Sequence, residues 1–90
     1  MLYINRLNLG CQGVYDMFER EIFGQRLLAL RKAKKVTQTE IANLLGVTPT
    51  QIGDMEHGKT TTSMARLYQL CVYFGVTADY LLGLSDDPAK

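Results

Sequence analysis

Apolar residues fall into helical stripes over most of the chain. Phe23, Leu27 and Leu30 stand at i, i+4 and i+7, and Ile22 extends the row, a spacing that puts them on one face of a helix. Ile41, Ala42 and Leu45 repeat the pattern, and Ile52 and Met55 stand three apart. Met64, Leu67, Leu70, Cys71 and Phe74 draw a fourth buried stripe. A short fifth run, Ala78 to Leu82, follows, with Tyr80 and Leu81 set to close the bottom of the core. Only the first nine residues alternate with anything like a strand period, and there both faces carry apolar groups. The pattern predicts an all-α fold of five helices in one small bundle.

Local punctuation bounds these helices. Asp16 is a candidate cap for the first, with Glu19 and Glu21 placing negative charge in its opening turns. Gly24 lies inside it, at roughly 1 kcal/mol against Ala, which a close neighbouring helix would explain. The first helix is expected to fray near Lys34 and Lys35. Thr37 and Glu40 form a capping box for the second helix, and Gly46 ends it. Thr48 caps the third, Pro49 takes its first position, Gln51 completes another box, and Gly58 closes it. Ser63 or Thr62 caps the fourth, Gly75 stops it, and Thr77 and Gly83 bound the fifth. Residues 18–84 thus read as one folded domain. Residues 85–90 read as a polar tail, and 1–17 as an N-terminal extension, either an arm, a dimer contact or a disordered leader. Met17 as the natural start is a further reading of that segment.

Only Gly46 and Val47 separate the second helix from the cap of the third. A link that short holds two helices at a large angle, with small Ala42 at their crossing and Val47 tucked beneath. The stretch TQTEIANLLGVTPTQIGDMEHG therefore reads as a helix-turn-helix, whose second helix is built to enter a DNA major groove.

Composition narrows the classes. Ninety residues allow one domain, and 47% hydrophobic content is ordinary for a globular one. No apolar run is long enough to span a bilayer, so no membrane association is expected. Cys11 and Cys71 make no framework, Cys71 reads as a core residue, and no secretory pattern opens the chain; the cytoplasm is the expected compartment. Net charge is +1, but Arg31, Lys32, Lys34 and Lys35 cluster within five residues. That cluster suits a helix C-terminus and, beside a helix-turn-helix, a phosphate contact region. Chemistry is not indicated. His57 is the only histidine, at the end of the third helix, and no phosphate loop or activated nucleophile is recognisable. The acidic pairs Glu19/Glu21 and Asp86/Asp87 read as a solvated first turn and tail. No enzyme, catalytic residue, metal site, cofactor or small-molecule substrate is expected.

With these residues laid out, 23–83 resemble the Xre-type helix-turn-helix family, which includes the lambdoid phage repressors and Cro proteins. The segments that carry the resemblance are FGQRLLALRKAKKVTQTEIANLLGV, TPTQIGDMEHGK and GVTADYLLG. It implies a five-helix domain that binds operator DNA, commonly as a dimer, with its third helix in the major groove. By that resemblance Gln38 contacts a phosphate, Lys59 approaches the backbone, and Arg31 pairs with Glu56 between first and third helices. Thr37, Lys35 and Thr60 complete the expected phosphate surface. The base-reading positions fall on Pro49, Thr50 and Asp54, with Thr48, Gln51 and Gly53 adjacent. Pro49 offers apolar contact, such as to a thymine methyl; Thr50 offers a hydroxyl; Asp54 can accept from a cytosine N4. Gln51 is equally a base reader or an inward partner for its cap. The loop Thr60–Thr62 lacks basic residues.

The expected function is a sequence-specific DNA-binding transcriptional regulator, a repressor, acting on double-stranded DNA as a homodimer. Two third helices would lie about 34 Å apart on a pseudo-palindrome. Tyr73, Tyr80, Leu82 and Leu84 are candidates for the dimer face or for the end of the core. The alternative is an antitoxin or a protein-interaction module on the same scaffold.

Overall fold

Buried side chains come from every helix of the computed structural model, which describes residues 19–89. The helices are α1 (Arg20–Lys34), α2 (Gln38–Leu45), α3 (Pro49–Glu56), α4 (Met64–Phe74) and α5 (Ala78–Leu82). No strand occurs among the described residues. The readings made for residues 1–17, and Asp16 as a cap, lie outside them. The described part of α1 opens at Arg20 after Glu19, whose side chain makes no cap hydrogen bond.

The core joins Phe23 and Leu27 of α1, Ile41, Ala42 and Leu45 of α2, Ile52 and Met55 of α3, Leu70 of α4 and Leu81 of α5. Burying each of the larger side chains contributes roughly 1.5–3 kcal/mol. Gly24 marks the crossing of α1 over α3. A Cβ there would lie 2.3 Å from the Met55 carbonyl oxygen and 2.7 Å from that of Glu56. The crossing is set by backbone, so no side chain fits.

Three features depart from the sequence reading. Met64 is 85% exposed, outside the core. The buried face of α4 centres on Leu67, Leu70 and Phe74, and Met64 stands about a quarter turn away on a 3.6-residue helix. It aligns instead with Tyr68 and Val72, both exposed, at i, i+4 and i+8. The end of α1 closes in an ordered cap rather than fraying. Lys35 takes the left-handed conformation (φ 61°), and the Val36 N–H donates back to the Arg31 carbonyl at 3.1 Å. The polar tail is tied down as far as Pro88. Arg26 Nη1 donates to the Tyr80 and Ser85 carbonyls (2.6 and 2.5 Å), its Nη2 meets Asp86 at 2.7 Å, and Thr77 N donates to the Pro88 carbonyl at 3.0 Å. No described helix is long and apolar enough to cross a membrane.

Candidate nucleic-acid interface

The site is built on α2, its turn and α3. Thr37 Oγ1 accepts from Glu40 N at 3.1 Å, while Glu40 Oε1 accepts from Thr37 N at 3.0 Å, so α2 begins in a complete capping box. Gly46 takes φ 72° and its N–H returns to the Ala42 carbonyl. Val47 N donates to the same carbonyl at 3.0 Å, and the Val47 side chain packs on the core. A second complete box follows: Thr48 Oγ1 accepts from Gln51 N at 3.1 Å, and Gln51 Oε1 from Thr48 N at 2.8 Å. Pro49 occupies the first turn, where a missing N–H costs nothing. Both helix starts are thus fixed by short-range bonds, and three residues turn the chain between them.

Ile52 and Met55 point α3 inward, buried, which leaves Pro49 and Thr50 exposed and Gly53 and Asp54 half-buried on the outer side. Gln51 resolves toward its structural role: its amide oxygen and the Thr48 hydroxyl are held in the cap.

The end of α3 is held by a buried carboxylate. The Glu56 side chain is 2% exposed and Arg31 14%. Arg31 Nε donates to Oε2 at 2.5 Å and Nη2 to Oε1 at 3.2 Å, while Nη1 reaches the Val36 carbonyl at 3.1 Å. Gln38 Nε2 donates to Glu56 Oε1 at 2.9 Å. One carboxylate thus ties the end of α1, the start of α2 and the end of α3. Charge-assisted and forked, the pair fixes orientation as well as energy.

The basic cluster does not form one patch. Arg31 turns inward to Glu56, and Lys34 Nζ sits 4.9 Å from the Tyr73 ring centre. Lys32, Lys35 and Lys59 are exposed, as are Thr37 and Thr60. Arg20 Nη1 donates to the Lys59 carbonyl at 3.2 Å, joining the start of α1 to the loop after α3. Arg66 was not anticipated: its Nε donates to the Leu45 carbonyl at 3.1 Å and closes the C-terminus of α2 just before the turn. Only a long-range contact assigns that role, so the local pattern carries no signal for it. Of the four residues named for a dimer face, Tyr73, Tyr80 and Leu82 are half-buried, with Arg26 stacked 4.3 Å from the Tyr80 ring centre; Leu84 is exposed. No group of three or more His, Cys, Asp or Glu among the described residues could hold a metal. Burial pushes the Cys71 thiol pKa up from its ordinary value.

Two capped helices joined by a tight turn, and braced through one buried ion pair, define a helix-turn-helix domain. The helix-turn-helix family model HTH_3 matches residues 27–81, and the chain belongs to this family of Xre and lambda repressor-like, DNA-binding transcriptional regulators, which are not enzymes. Over 67 residues it is 36% identical to the HTH-type transcriptional regulator YobD of Bacillus subtilis, itself uncharacterised, covering 74% of this chain and 60% of YobD. Among solved structures, the restriction-modification controller protein C.AhdI of Aeromonas hydrophila is 31% identical with a TM-score of 0.61, over 69% of this chain and 94% of that one. The P22 c2 repressor, solved in complex with a synthetic operator, is 30% identical with a TM-score of 0.63, over 67% and 91%.

Proposed function

We propose that this protein is a repressor that binds a pseudo-palindromic operator as a homodimer in the cytoplasm, with α3 in the major groove. The observation that carries the reading is the bracing of α3: a complete cap at its start, the Arg31–Glu56–Gln38 network at its end, and Pro49 and Thr50 left exposed. Such a helix is held by its own domain and presents its outer face to a partner. The P22 c2 repressor, with a similar fold, was solved on operator DNA, which supports DNA as that partner.

In this reading Thr50 and Asp54 contact base edges, Pro49 makes apolar contact, and Thr48 and Gln51 chiefly set the helix start. Gln38, Thr37, Lys35, Lys59 and Thr60 meet phosphates. Gln38 keeps one amide hydrogen on Glu56 and offers the other outward, which positions it before DNA arrives. The test uses a duplex enriched from a random pool by the wild type. Thr50→Ala should weaken binding about tenfold with the melting curve little changed; Gln38→Ala should weaken binding as well and also lower the melting temperature, because the buried Glu56 carboxylate loses a donor. Lys59→Ala should flatten the salt dependence by about 0.9 in slope. Affinities unchanged in all three would remove α3 from the groove.

A second reading, an antitoxin or protein-interaction module, is favoured by one observation. Met64, Tyr68 and Val72 form an exposed apolar row along α4. In the leading reading that row supports a second copy of the chain as its cover, and sedimentation of the protein alone separates the two.

A further inference from the structure

A cavity of about 290 Å³ opens beside the start of α1. Phe23 of α1, Leu67 of α4 and Leu82 of α5 are its apolar walls, and Thr61, Thr62 and Ser63 line it from the loop after α3. Roughly 150 Å³ is enough to take up benzene, so an aromatic side chain fits this space. The lining also carries hydroxyls. Ser63 Oγ is engaged by the Arg66 N–H in the cap of α4. Thr62 Oγ1 is buried with no hydrogen-bond partner among the described residues. An unpaired buried hydroxyl is destabilising, and a hydrocarbon brings it nothing. A stretch of peptide can serve both needs, since each residue adds a backbone N–H and carbonyl to its side chain. The occupant that matches the lining is a peptide segment bearing an aromatic ring.

The chain itself enters α1 at this place. Arg20 Nη1 donates to the Lys59 carbonyl at 3.2 Å, and a Cβ on Gly58 would lie 3.2 Å from Glu21 Cα. The first turn of α1 therefore lies against the loop that leads to Thr61. Glu19 is the N-cap, with extended backbone (φ −90°, ψ 96°), and its carbonyl accepts from the N–H groups of Ile22 and Phe23. Phe18, just outside the described residues, then holds the N′ position, and Phe23 holds N4. Apolar residues at N′ and N4 form a hydrophobic staple, which packs the residue before the cap onto the first turn. Here the N4 partner is a wall of the cavity. Phe18 is tethered five positions from that wall, which favours it by effective concentration over a second copy or a free molecule.

We infer that Phe18 staples onto Phe23 and occupies this cavity, docking the chain upstream of α1 on its own domain. Docked there, it lies beside the loop that carries Lys59 and Thr60. The inference stands apart from the DNA reading and goes beyond it. Its test is made on the full chain. Nuclear Overhauser contacts are expected between the Phe18 ring and the methyls of Leu67 and Leu82 within one molecule, measured on a mixture of labelled and unlabelled protein. Phe18→Ala should melt about 4–8 °C lower than wild type, and Phe18→Leu should keep most of that stability. Combined with Leu82→Ala, Phe18→Ala should lower the melting temperature by less than the two single losses summed, because the two side chains meet.

Three results would overturn the inference. One is a Phe18 ring without contacts to Leu67 or Leu82. Another is contacts that arise only between labelled and unlabelled molecules, which would give the cavity to a second copy. The third is Phe18→Ala melting as wild type does, or losses that add in full with Leu82→Ala.

Discussion

Two residues set the geometry of α3, and they act by opposite means. Gly24 works by having no side chain, since a methyl there would enter the Met55 and Glu56 carbonyls. Gly24→Ala should therefore destabilise the fold by about 1–3 kcal/mol, despite alanine's better helix propensity, as measured by urea unfolding. Glu56 works by being charged and buried. Glu56→Ala leaves Arg31 without its partner and should cost about 3–5 kcal/mol, whereas Arg31→Met combined with Glu56→Leu should recover most of that loss. The double variant lacks the anchor for Gln38, so stability and duplex binding should part company in it. Gly24 was legible as a close approach, because a glycine inside a helical stripe calls for one. The Arg31–Glu56 pairing came only from the family resemblance, since a contact across 25 positions leaves no trace in local spacing.

Among the helices, those with local signals were read most closely. Both capping boxes appear with the residues named for them, because each is complete within four residues of chain. Thr48→Ala should cost about 1 kcal/mol in urea unfolding and, by loosening the helix start that carries Pro49 and Thr50, should weaken duplex binding as well. A loss of binding with stability unchanged would contradict that coupling. Where the signal was tertiary, reading failed. Met64 sat on the edge of a stripe drawn too wide, and only the neighbours of α4 decide how wide its buried face is. The ordered end of α1 was missed because a lysine in the left-handed conformation gives no local sign.

At the scale of the molecule, α1 runs past α3 and α5, and its arginines make long ties: Arg31 to α3, and Arg26 to the residues after α5. Arg26→Ala should release residues 85–88, seen as faster amide exchange at Thr77, whose N–H bonds to Pro88, with duplex binding retained. Five helices and their order were legible because five stripes and five sets of breakers separate cleanly in the chain. The tied tail was not, because Ser85 to Pro88 look solvated until Arg26 is found beside them. In the proposed function the braced α3 reads DNA as one half of a symmetric pair. Selection of bound duplexes from a random pool, followed by salt titration of the winner, tests it most directly. A palindromic consensus is expected, with half-sites about one helical turn apart, bound at least about a thousandfold more tightly than random DNA. No enrichment over random DNA at modest salt would contradict it.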